Sequence, residues 1–313
     1  MMINKNTSDE FTTRYLDLAR SGRDAWWVYG LGAILIILVC WLGFGGIATG
    51  ILIFMFSSMG MKLSDLSNLL MNSGESLIDK NVAFLIANAA FPFFFIGILG
   101  VVRFLHKRPL ISLVTGASRI RWERVWRAFG LWFLLAGMLS LLEYSLWSET
   151  FSIQFDLVNF GLLLLLALIL TPIQTSAEEL FFRGYFIQAL SLATRNKVWL
   201  SVLSGVIFAL PHFANPEVSG GFWLAMAYYF AFGFFLAWLT LKDGGLEAAL
   251  GMHAANNLYG GVVVNFEGSA LPTYALIFTT HFDPMYNLLS GVAAMGIFYA
   301  LLYYPAVKIK PER

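Results

Sequence analysis

Stretches of about 20 mostly apolar residues recur along the chain, near 27–56, 82–104, 125–147, 156–176, 198–214, 221–241, 245–264 and 285–305. Each is long enough to cross a bilayer as a helix, which takes about 20 such residues. Only 12% of the residues are charged and 58% are hydrophobic, against about 25% charged in an ordinary soluble domain. Such a chain cannot cover a globular surface with polar groups. A soluble enzyme, a disordered protein and a disulfide-built secreted domain are therefore excluded. The 20 basic and 19 acidic residues nearly balance, so there is no global pull toward nucleic acid. Cys40, the single cysteine, lies in an apolar run and reads as a small buried hydrophobe. The expected fold is all-α, a polytopic membrane protein of about eight transmembrane helices.

Residues 1–25 are polar and mixed in charge, with no short apolar region and cleavage site after them, so no signal peptide is expected. They read as a cytoplasmic N-terminal segment, 26–306 as a single membrane domain and 307–313 as a cytoplasmic tail. Basic residues in short loops set orientation. Lys5, Arg14, Arg20 and Arg23 precede the first span, and Arg103, Lys107, Arg108, Arg119, Arg121, Arg124 and Arg127 crowd the second loop. Arg195 and Lys197 follow in the fourth loop, Lys242 in the sixth, and Lys308, Lys310 and Arg313 in the tail. The alternate loops carry Glu149, Asp156, Glu217, Glu267 and Asp283. Lys62 and Lys80 break the pattern, accompanied by Asp65, Glu75 and Asp79. This alternation predicts both termini in the cytoplasm, in the cell membrane. The basic second loop reads as a topology signal and a contact for anionic lipid. His106 in that loop and His281 in an outer loop read as solvated surface residues.

Ionisable side chains inside spans are costly and are functional candidates by default. Here they fall in three places: Thr171 to Tyr185, Phe208 to His212, and Gly251 to Asn257. Glu179 and Arg183 are four apart, share a helix face and can pair. Glu178 is turned about 100° from Glu179 and must find a partner across the bundle. His253 and Asn257, also four apart, put two polar groups on one face. Pro211 removes a backbone hydrogen bond and predicts a kink beside His212, and Pro172 can do the same before the glutamates. At about 1.5 Å per residue, His253 lies roughly 14 Å in from the loop near residue 244. Glu178 falls at a similar depth, with His212 about a helical turn deeper. The three groups can converge in one cavity, expected to open toward the cytoplasm. For Glu179 with Arg183, a buried pair that fixes helix register is the simpler reading. Asn257 alone suits an interhelical hydrogen bond. Two His, two Glu, an Arg and an Asn at matched depth are hard to explain by packing.

These residues resemble a family pattern, that of the CPBP family, the CAAX proteases and bacteriocin-processing proteins also called Abi. Glu178-Glu179-x-x-x-Arg183, Phe208-x-x-x-His212 and His253-x-x-x-Asn257 match it in order and spacing. The resemblance covers about residues 157–264 and implies an intramembrane endopeptidase acting on a membrane-associated or lipidated peptide or protein. By it, Glu178 with His212 would activate water, His253 and Asn257 would stabilise the oxyanion, and Glu179 and Arg183 would brace the site. Neutral donors aimed at one point suit a developing negative charge, and no Ser or Cys nucleophile is needed. His212, His253 and Glu178 can also form a zinc site, but the His-Glu-x-x-His helix signature is absent. A metal-free glutamate mechanism without cofactor is favoured, with zinc as the alternative. The expected partners are a peptide or protein substrate and the lipid bilayer, with no nucleic acid. A non-catalytic bacteriocin-immunity or scaffold protein of the same fold is the competing function. A secondary transporter would predict a repeat between halves, and none is visible.

Overall fold

A computed structural model describes residues 5–60, 62 and 79–304. The expected tail at 307–313 and the loop acids Asp65 and Glu75 lie outside the described residues. Helix α1 spans Lys5–Asp17. Seven longer helices follow that are long and apolar enough to cross a membrane: α2 Trp26–Ser58, α3 Lys80–Leu105, α4 Trp122–Leu146, α5 Leu157–Leu190, α6 Lys197–Ala214, α7 Phe222–Asp243 and, last in the chain, α9 Pro284–Tyr303. Between the last two lies α8, Glu247–Leu258, continued by π-helical turns over Tyr259–Val263. It takes the place of the span expected near 245–264. It is shorter and more polar than the others, and none of its residues from Glu247 to Leu258 is exposed. The reason is its neighbours: α8 packs against α4, α5 and α7, which stand between it and the lipid. Its approach to α4 requires Gly251, where an added Cβ would fall 2.1 Å from the Val125 carbonyl oxygen.

The outer surface is apolar, as lipid demands. Phe54 is 75% exposed and Leu141 71%, which in water would be an aggregating patch. Acidic loop residues start the helices. Asp79, Asp156 and Asp283 accept backbone N–H groups at the first turns of α3, α5 and α9, where a negative charge meets the positive end of the helix dipole. Three short strands sit at the same end of the bundle as those caps. They are β1 Phe151–Ile153, β2 Val264–Phe266 and β3 Ile277–Thr279, in the order β1-β3-β2, with β1 antiparallel and β2 parallel to β3.

Pro172 does not break α5, which continues past it and passes into π-helical turns over Leu180–Phe186. At Pro211 the expected disturbance is present: regular α-helix stops at Ala209 and a tight 3₁₀ turn covers Leu210–Ala214.

The basic second loop departs from expectation. Arg108 and His106 are buried, not solvated. The N-terminal segment folds over them, placing Tyr15, Leu16 and Ala19 in the core. His106 Nδ1 donates to the Arg23 carbonyl at 2.7 Å and its Nε2 pairs with the Tyr185 hydroxyl at 2.9 Å. Burial pushes the His106 imidazole below its ordinary pKa. Arg108 donates to the Leu18 carbonyl and to the Tyr29 hydroxyl. Arg121 forks onto Glu247, and Arg124 onto Asp243. These four basic-loop side chains hold helices together and are not free for lipid. His281 is also not a free surface residue: it stacks on Trp147 at 4.3 Å, and its Nδ1 is buried.

Candidate active site

The side chains of interest come from three helices. Helix α5 presents Gln174, Glu178, Glu179 and Arg183, the 3₁₀ turn that ends α6 presents His212, and α8 presents His253 and Asn257. Glu179 and Arg183 are buried completely and pair at 2.9 Å. Arg183 also donates to the Gly233 carbonyl at 3.1 Å and lies 4.3 Å over the Phe208 ring. The same Glu179 oxygen that meets Arg183 receives His253 Nδ1 at 2.7 Å. A carbonyl-type or carboxylate acceptor on one ring nitrogen fixes the imidazole tautomer and orientation, so Glu179 leaves His253 Nε2 facing the other glutamate. That contact, to Glu178 Oε2, is 3.5 Å.

Glu178 finds its partner across the bundle through Gln174. Gln174 donates to Glu178 Oε1 at 2.7 Å, and Asn257 donates to the Gln174 oxygen at 3.0 Å. Asn256 donates to Asn257 at 3.1 Å and is held in turn by the Trp132 indole at 3.2 Å. His212 Nδ1 donates to the Phe208 carbonyl at 2.8 Å, which leaves Nε2 as the acceptor nitrogen of the neutral ring. Its ring stacks on Tyr229 at 4.1 Å. Tyr229 donates to Glu217, and Asn215 donates to both.

Glu178, His212 and Asn257 line one cavity of about 570 Å³. His253 stands behind Glu178, and Glu179 and Arg183 lie deeper still. The cavity does not run toward the basic loops, contrary to expectation. Its wall continues through Asn215, Glu217, Asn265, Ser269 and Phe282, which belong to β2 and the connecting segments at the opposite end. The physical cause is the buried basic end: α1 and residues 106–108 plug the bundle there. Gln174, Asn215, Glu217 and Tyr229 line the cavity and were not anticipated from the sequence. Gln174 carried a usable signal, since it precedes Glu178 by four residues and so shares its face. Tyr229 and Glu217 carried none.

Catalytic zinc needs three protein ligands and an open position. Here His253 has one nitrogen on Glu179 and the other toward Glu178. Among the described residues no group of three His, Cys, Asp or Glu side chains is gathered to hold a metal ion. The residues as arranged do not fit zinc.

A bundle of apolar helices with buried carboxylates and imidazoles beside a polar cavity is the architecture of a polytopic integral membrane protein with a polar site enclosed among its helices. The model of one family, described as type II CAAX prenyl endopeptidase Rce1-like, matches residues 158–259. A Bacillus subtilis (strain 168) relative, "Uncharacterized protein YyaK", is 36% identical over 242 residues, covering 76% of this chain and 80% of the relative. No solved structure gives a significant match. The chain belongs to the Rce1-like family of CAAX-type intramembrane endopeptidases.

Proposed function

We propose that the protein is a metal-free intramembrane endopeptidase hydrolysing a peptide bond of a membrane-associated or lipidated peptide or protein. The observation that supports this most is the convergence of Glu178, His212 and Asn257, from three separate elements, on one cavity. Glu178 and His212 hold a water between them, and Glu178 takes its proton as the oxygen attacks the substrate carbonyl. The free N–H of Asn257 faces the developing oxyanion, where such a donor contributes about 3–4 kcal/mol. His253, behind Glu178 with its Nδ1 on Glu179, orients that base and is not the second oxyanion donor. The proton on Glu178 then passes to the leaving amine. Glu179 and Arg183 act as positioning residues, through His253. The peptide complement of membranes and medium should differ between cells with wild-type protein and cells with Glu178→Ala. Uncleaved precursor should accumulate only in the variant. Identical profiles together with an unchanged cellular phenotype would leave a non-catalytic scaffold or immunity role in its place.

The alternation of basic and acidic loops supports both termini on the cytoplasmic side of the cell membrane. The cavity, which runs to the opposite end, then receives substrate from the outer side. In a Cys40→Ser background, Glu267→Cys, on the exposed loop at that end, should react with a membrane-impermeant maleimide on intact cells. Labelling only after permeabilisation would reverse the orientation.

A further inference from the structure

A second chamber of about 170 Å³ adjoins the cavity, and the two share Ala136, Tyr228, Asn256, Tyr259, Phe266, Phe282 and Asn287 as common wall. It lies beside the reacting groups, since Asn256 of the shared wall hydrogen-bonds Asn257. Its lining is unusual for a membrane interior. Trp132, Tyr228, Tyr259 and Tyr286 present aromatic surface, and Glu143 of α4 enters from the side. No Lys or Arg lines either chamber among the described residues.

Glu143 is half-buried in the last turn of α4, and its carboxyl group makes no hydrogen bond or ion pair among the described residues. A carboxylate there is disfavoured twice. It faces the negative end of the helix dipole, and it sits in a spanning helix without a counter-charge. Among the described residues nothing offsets that cost. The titratable neighbours do not supply a fixed cation: His281 stacks on Trp147, and Asp283 is engaged in capping α9. Further along the main cavity, Glu217 Oε2 is buried with no hydrogen-bond partner among the described residues. A carboxylate among aromatic faces is the environment that binds ammonium and guanidinium groups, by charge pairing and cation–π attraction together.

We infer that the side chamber is a specificity subsite that takes the cationic side chain, Lys or Arg, of a substrate peptide, held by Glu143 against the aromatic walls. Its volume suits one extended side chain rather than a folded segment. The inference rests on the peptidase reading for the meaning of "substrate", but its binding step can be measured without cleavage.

The test uses full-length protein in lipid nanodiscs and two hexapeptide pools, N-acetylated and C-amidated so that no terminal charge competes. One pool fixes Lys at a single position and the other fixes norleucine there. The wild type should bind the Lys pool about tenfold more tightly or better. Glu143→Gln should bring the two pools within about twofold of each other while leaving norleucine-pool binding unchanged. An N-terminally free norleucine pool, run alongside, separates an α-ammonium from a side-chain cation: tighter binding of that pool than of the Lys pool overturns the assignment. Equal binding of the Lys and norleucine pools by the wild type, or a Lys preference that survives in Glu143→Gln, also overturns it. Cleavage followed in the same samples distinguishes the two readings. A Glu143-dependent Lys preference without any cleavage keeps the subsite and sinks the peptidase. Cleavage with no Lys preference does the reverse.

Discussion

Arg183→Ala should remove most of the folded protein from the membrane. Arg183 is wholly buried and donates to Glu179, to the Gly233 carbonyl on α7 and across the Phe208 ring on α6. It therefore ties α5 to two neighbours through one guanidinium. Removing one partner of a buried pair costs about 3–5 kcal/mol, because the other charge is stranded. Domains have only about 5–15 kcal/mol in total. The expected readings are a large fall in membrane abundance and a lowered unfolding temperature in detergent. Arg183→Lys should recover little, since a single ammonium cannot reach both acceptors and lie flat on Phe208. Replacing both charges, Glu179→Gln with Arg183→Met, should recover stability relative to Arg183→Ala while leaving cleavage impaired, because His253 has then lost the carboxylate on its Nδ1. Arg183→Ala protein with normal abundance and unfolding temperature but no cleavage would move Arg183 from holding the fold to the chemistry.

The same residues show how far the sequence could be read. The i, i+4 pairing of Glu179 with Arg183 and the need of Glu178 for a different partner followed from helical period alone. The partner, Gln174, sits one turn earlier on the same helix, where the same period puts it on the Glu178 face. What the period could not supply was the contact between helices. His253 bonding Glu179, and Asn257 bonding Gln174, join residues 74 and 83 positions apart and depend on how α8 packs on α5. Charge counting misjudged the basic loop for a related reason. It sees that Arg108, Arg121 and Arg124 lie between spans, but not that α1 folds back over Arg108 or that α7 and α8 present Asp243 and Glu247. Because that end is plugged, the cavity runs the other way. The seventh apolar stretch, near 245–264, falls where α8 lies. Its shortness and full enclosure were signalled only by the polarity of Glu247, His253, Asn256 and Asn257.

Glu178→Gln should abolish cleavage and leave the protein folded. The amide keeps the shape of the carboxylate and one acceptor oxygen, so the Gln174 hydrogen bond can persist. Its new N–H group can donate to His253 Nε2, which already stands 3.5 Å from Glu178 Oε2. The network is thus repaired while the ability to accept the water's proton is lost. Positioned general bases contribute about 10²–10⁴-fold, and a loss of that size in cleavage rate, at unchanged unfolding temperature, is the expected result. The variant alone cannot separate a glutamate base from a glutamate zinc ligand, because both fail on the same substitution. Chelation can. A site whose His253 is already turned onto two carboxylates, and whose His212 keeps one nitrogen on a backbone carbonyl, has no ligand shell to lose. Wild-type cleavage should therefore survive strong chelators, and metal analysis of active protein should find no stoichiometric metal. Zinc that leaves together with activity, with both restored on adding it back, would require His212 and His253 to turn from their present partners onto the metal. It would make Glu178 the third ligand rather than the base.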